Sequence, residues 1–143
     1  MKNLILMFCW MVFVVPAASA AVNTDARGVA LKGYDAVAYF TDNAAVRGDP
    51  QHSHQWMNAT WYFASKEHQE LFAKDPARYA PQYGGFCAYA VSKGAKADAD
   101  PEAWDIVNGK LYLNFSKAVQ GIWNRGRDHL MRKADANWPR LGG

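Results

Sequence analysis

Hydrophobic positions follow three regimes along the chain. From Leu4 to Val15 they run unbroken; from Val29 to Leu113 they come in short clusters between polar turns; and from Ser116 onward they recur with helical spacing. The middle regime predicts short elements. Gly33-Tyr34-Asp35 carries turn chemistry, Val37-Ala38-Tyr39-Phe40 reads as a first strand, and Ala45-Val46-Arg47 reads as a second after the Thr41-Asp42-Asn43 turn. Gly48-Asp49-Pro50 has the form of a helix entry, an acidic cap before a proline, which predicts a short helix over about Pro50 to Met57. Thr60-Trp61-Tyr62-Phe63 is a strand by composition. Ser65 caps a helix to about Lys74, along which His68, Leu71 and Phe72 share one face. Asp75-Pro76 opens another short helix.

The C-terminal half continues in the same way. Asn108-Gly109 supplies both positive-φ residues of a type I′ turn, so Trp104-Asp105-Ile106-Val107 and Lys110-Leu111-Tyr112-Leu113 form a hairpin. A surface loop, Lys93 to Asp100, precedes it. Val119, Ile122 and Trp123 give the helix begun at Ser116 an apolar side. Gly126 interrupts it, and a last helix runs from about Asp128 to Asn137, ending at Trp138-Pro139. The order of elements predicts an α+β domain: a small antiparallel sheet with short helices packed on it and C-terminal helices.

The opening regime has a different meaning. Lys2 is the only charge before Asp25, Pro16 ends the apolar run, and Ala18 and Ala20 occupy the positions of an A-x-A cleavage site. The run is short against the roughly 20 residues that span a bilayer. Residues 1–20 are therefore expected to be a cleaved signal peptide, residues 21–28 a flexible lead-in, and residues 29–143 a single domain, periplasmic or secreted and without a stable membrane anchor. Cleavage leaves 123 residues and takes Lys2 away, so the formal charge falls from +3 to +2. That balance, with Lys and Arg dispersed, argues against nucleic acid as a partner.

Cleavage also removes Cys9, leaving Cys87 as the single thiol. A lone cysteine in an oxidising compartment is a buried inert residue, a metal ligand, or a reactive thiol.

Several stretches resemble the YHS domain family, in particular its exported, cysteine-poor branch. They are Gly33-Tyr34-Asp35-Ala36-Val37-Ala38-Tyr39-Phe40, Phe63-Ala64-Ser65 with Phe72, and the segment from Asp75 to Ala90 with its Tyr83-Gly84-Gly85-Phe86-Cys87-Ala88-Tyr89 core. Gly109 to Asn114 and Ala134 to Pro139 continue the likeness. Related domains are thought to hold heavy metals through paired cysteines. The corresponding positions here are Ala64 and His68, and a further cysteine expected near Ala38 is absent, so that thiolate pair does not carry over.

Candidate chemistry follows from these residues. Cys87 suits copper or zinc, with imidazoles from His54 or His68 completing the shell. His52, His54 and Met57 form an H-x-H-x-x-M set, but on a helix His52 and His54 would lie about 200° apart. The aromatic residues Tyr34, Tyr39, Trp61, Tyr83, Phe86, Tyr89 and Tyr112 could line a pocket for a small ligand, with core packing the simpler account for most of them. Tyr34, Asp35, Tyr83 and Tyr89 are the ligand candidates. A thiol enzyme would need His54 or His68 as base beside Cys87, with Asp35 orienting it. The expectation is a non-enzymatic binding module for a metal ion or small ligand near Cys87, set against a structural or interaction domain with Cys87 buried.

Overall fold

A computed structural model describes residues 21–142, and the expected leader lies outside the described residues. Among the described residues the fold is α+β, with two antiparallel hairpins and six helices. In chain order these are α1 (Ala38–Thr41), β1 (Asp49–Trp56), β2 (Ala59–Phe63), α2 (Lys66–Lys74), α3 (Pro76–Tyr79), α4 (Ala88–Ser92), β3 (Asp100–Val107), β4 (Lys110–Asn114), α5 (Lys117–Arg125) and α6 (Arg127–Leu141). Single 3-10 turns occupy Leu31–Gly33 and Gln82–Gly85. No helix among the described residues is long and apolar enough to cross a membrane.

Several elements form where the local chemistry predicts them. Ser65 Oγ accepts from the His68 N–H and Ser116 Oγ from the Val119 N–H, capping α2 and α5. Asn108 and Gly109, at φ 52° and 74°, close the β3–β4 hairpin.

Three predicted elements differ. The segment expected to be a helix from Pro50 to Met57 is instead strand β1 as far as Trp56, paired with β2. Met57 and Asn58, at φ 52° and 61°, make the tight turn between them, and His54 and Trp56 pack their rings on Phe72 of α2. Tertiary pairing with an aromatic strand overrides the weak Asp49-Pro50 helix signal. Val37 to Phe40, predicted as a strand, turns into α1 because the Asp35 carboxylate takes the N–H groups of Val37 and Ala38 at 2.9 and 3.1 Å. Ala45 to Arg47 forms no strand; Arg47 makes one isolated bridge to Tyr34. The last helix also continues past Asn137 and through Pro139 to Leu141.

Residues of the expected lead-in hydrogen-bond to the domain. Asn23 N–H donates to Gly84 O at 2.8 Å, its side chain reaches Asp98 at 2.9 Å, and Ala21 N–H donates to Gly142 O at 2.6 Å. Backbone and amide groups of a polar segment thereby find partners on the domain.

Strand β4 divides the interior. Leu111 and Leu113 face a core with Tyr39, Trp61, Phe63 and Phe72, whereas Tyr112 faces a second cluster with Tyr83, Ala88, Val91, Trp123, Leu130 and Ala134. A strand covered on both faces reads as a continuous apolar run, and Leu111-Tyr112-Leu113 does.

Candidate functional site

The seam between these two clusters opens as a cavity of about 300 Å³. Trp56 and Trp61 come to it from the first hairpin, Tyr83 and Gly84 from the glycine turn, and Asp135 and Trp138 from α6. Sequence distance hides this grouping, but each local rule is simple. Strand alternation and the hairpin turn bring Trp56 beside Trp61, whose Nε1–H donates to Trp56 O at 3.0 Å. Asp135 and Trp138, three apart on α6, share a helix face. Tyr83 sits at φ 58° and Gly84 at φ 64°, a left-handed pair that turns the chain back under α6.

One polar contact organises the cavity. The Tyr83 hydroxyl donates to Asp135 Oδ1 at 2.8 Å. Burial, with the Asp135 carboxylate beside it, pushes the Tyr83 phenol far above its ordinary range, so it remains a neutral donor. The Tyr83 and Trp138 rings meet near edge-on at 6.0 Å, and the Trp56 and Trp61 rings are inclined at 5.7 Å.

The other candidates lie elsewhere. Cys87 is 1% exposed, and its thiol donates to the buried Asn114 Oδ1 at 3.6 Å, an oxygen that also accepts the Tyr89 N–H at 3.1 Å. His54 packs its ring against Phe72 at 6.0 Å. His68 Nδ1 lies 2.6 Å from Asp35 Oδ2, and its Nε2 faces Thr41 Oγ1 at 3.2 Å. Cys87, His54 and His68 thus have three different sets of neighbours. His52 falls in the irregular stretch of β1 between Asp49 and Ser53, so strand alternation does not put it on the face of His54. Among the described residues no three His, Cys, Asp or Glu converge as a metal site, and the donor set does not fit a copper or zinc centre at Cys87.

Tyr34 and Asp35, paired as ligand candidates, point to different surroundings. The Tyr34 hydroxyl donates to Glu102 at 3.3 Å, and the Arg47 guanidinium lies over its ring. Asp35 is fully buried and accepts from the N–H groups of Val37, Ala38 and Ala64 as well as facing His68. The Asp35–His68 half of the enzymatic reading therefore exists, but the hydroxyl beyond it belongs to Thr41. That hydroxyl lies 2.9 Å from Asp42 Oδ1, and the chain of contacts ties α1 to α2. Tyr89 carries Lys93 over its ring and does not line the cavity.

Of the ligand candidates, Tyr83 alone lines the cavity, joined by Trp61 from the wider aromatic set. Trp56, Trp138 and Asp135 were missed by the sequence reading. The i, i+3 spacing of Asp135 and Trp138 was a usable signal; nothing local links them to Trp56. No family model, curated protein or solved structure matches the chain.

Proposed function

We propose that this chain is an exported, non-catalytic binding module of YHS type that holds a small organic ligand in the aromatic cavity beside Tyr83. The cavity itself carries the reading. Its volume of about 300 Å³, its apolar and aromatic walls and its one oriented carboxylate are what small-ligand sites are built from. Among the described lining residues there is no Ser, Thr, Cys, Lys or His side chain, so the reading does not invoke a hydroxyl or thiol nucleophile paired with an imidazole or lysine base. Export rests on the apolar run, Pro16 and the Ala18/Ala20 pattern. The YHS assignment rests on the quoted stretches, of which Tyr83-Gly84 forms one wall of the cavity.

The test is a thermal-shift and tryptophan-fluorescence screen of small organic compounds on the purified protein and on Ala77→Trp, a bulky side chain placed at the exposed rim of the cavity. Ligands that raise Tm in the wild type and not in Ala77→Trp support the reading. Hits indifferent to Ala77→Trp move the site elsewhere. N-terminal sequencing of protein recovered from a periplasmic fraction should begin at Ala21.

A second reading is favoured by the 1% exposure of Cys87: the thiol is packing, and the domain acts through its surface. Slow modification of Cys87 by a thiol reagent in the native state and fast modification in denaturant is the expected result. Fast native modification, or Cys87-dependent binding of copper or zinc, would restore the thiol as a functional group.

A further inference from the structure

Among the described residues, Asp135 is the one charged side chain lining the cavity; no Lys, Arg or His side chain accompanies it. Its Oδ1 is engaged by the Tyr83 hydroxyl at 2.8 Å, which orients the carboxylate and leaves Oδ2 free of that bond. The phenol cannot neutralise the charge by proton transfer, because burial and Asp135 itself keep the proton on Tyr83. At the rim, the Ala21 nitrogen, which is the α-ammonium of the processed chain, donates to Gly142 O at 2.6 Å. Among the described residues, no Lys, Arg or His side chain forms an ion pair with this carboxylate.

The walls supply the second half of the argument. Trp56, Trp61, Tyr83 and Trp138 meet in inclined pairs, at 57° and 65°, rather than as a parallel stack. A stacked slot suits a flat ring. Inclined aromatic rings lining one cavity with a carboxylate suit a rounded, weakly hydrated cation, which gains from ring quadrupoles and from charge pairing together. An inorganic cation would have to exchange its water shell for oxygen ligands, and aromatic carbon offers none. An anion would meet like charge. A neutral ligand would cover Asp135 without partnering it.

We infer that the ligand is a small organic cation bearing a substituted ammonium group, with the charged head against Asp135 and its methyl surface against Trp56, Trp61 and Trp138. This inference rests on the cavity being the ligand site. A volume near the lower end of ligand pockets restricts the occupant to a small molecule or the tip of a larger one.

The experiment uses calorimetry and tryptophan fluorescence on the processed protein with four probes: tetramethylammonium, choline, the uncharged carbon isostere 3,3-dimethylbutan-1-ol, and indole. At least one of the two ammonium ions should bind, and it should bind at least about tenfold more tightly than the isostere. Asp135→Asn, which keeps an acceptor for Tyr83, should weaken ammonium binding about tenfold or more, or roughly 1.4 kcal/mol, with an unchanged circular dichroism spectrum. Ala77→Trp should abolish it. If the isostere or indole binds as well as the ammonium ions and Ala77→Trp blocks it, the cation class is overturned and the cavity reading stands. Failure of all four probes overturns the inference and removes the support for the cavity reading. Ammonium binding that survives both substitutions also overturns the inference.

Discussion

Replacing Asp35 tests the physical account of the fold most directly. Its carboxylate is fully buried and faces four donors: the N–H groups of Val37 and Ala38 on one oxygen, and the Ala64 N–H and His68 Nδ1 on the other, the last at 2.6 Å. Asp35→Ala removes every acceptor at once and strands three backbone donors. A buried donor left unpaired costs about 1–3 kcal/mol, and breaking a buried charge-assisted pair about 3–5 kcal/mol. Water entering the vacated space returns part of that, so the net loss should be about 4 kcal/mol, a large share of the roughly 5–15 kcal/mol that holds a domain folded. Asp35→Asn separates shape from charge. Its oxygen can still accept from Val37 and Ala38, but its amide then meets the Ala64 N–H donor to donor, and the expected loss is about 2 kcal/mol. Urea denaturation at neutral pH reads the series. With a slope of about 2 kcal/mol/M, Asp35→Ala should lower the midpoint by about 2 M and Asp35→Asn by about 1 M, with the slope unchanged. An Asp35→Ala protein within about 1 kcal/mol of wild type, or more stable than Asp35→Asn, would refute the claim that this carboxylate organises α1 and α2.

Other measurements probe separate parts of the molecule. Gly48→Ala should cost about 2 kcal/mol in urea denaturation, because a Cβ there would lie 2.5 Å from the Tyr62 carbonyl carbon, and backbone cannot yield as a side chain can. In an alkaline ultraviolet titration Tyr39 and Tyr83 should ionise only as the protein unfolds, since burial raises both phenols. Their folded values exceed the unfolded value of about 10, so their stabilisation is full below pH 10 and is lost as pH rises toward the folded values. Asp98 behaves in the opposite sense. Burial raises its carboxyl, but the Lys32 ammonium at 2.9 Å, the Asn23 amide and the Ala99 N–H together hold it below its ordinary value. Its stabilisation is therefore full above the unfolded value of about 4 and is lost as pH falls through the lower folded value. Asp98→Asn should accordingly lose less stability than wild type between pH 5 and pH 2.5.

The legible parts of this protein are those in which a residue acts on its own backbone neighbours. Asn108-Gly109 meets the positive-φ demand of its turn from two residues, and Ser65 and Ser116 cap helices through N–H groups three positions on. The α+β class could be read from the succession of such local signals. Where a partner from afar decides, the sequence misleads. The segment from Pro50 to Met57 has a helix-like entry, yet it pairs with β2 and lays His54 and Trp56 on Phe72. Val37 to Phe40 has strand composition, yet the Asp35 carboxylate, anchored across the fold by Ala64 and His68, curls it into α1.

The candidate site shows the same division. Tyr83 stood out because paired glycines and aromatics mark an unusual backbone, and that backbone is strained at φ 58° for a tyrosine. Its partner Asp135 lies 52 residues away, and although the i, i+3 spacing to Trp138 is legible on α6, nothing local joins that pair to Tyr83. Cys87 drew attention by being alone, but its meaning depended on burial and on Asn114, 27 residues on. The sequence by itself determined the turns, the caps and the supply of aromatic side chains, because these depend on backbone chemistry within a few residues. Only the tertiary structure decided which aromatics face a cavity, which carboxylate is buried and which thiol is enclosed, because each depends on surfaces brought together by chain closure across distances that no local pattern encodes.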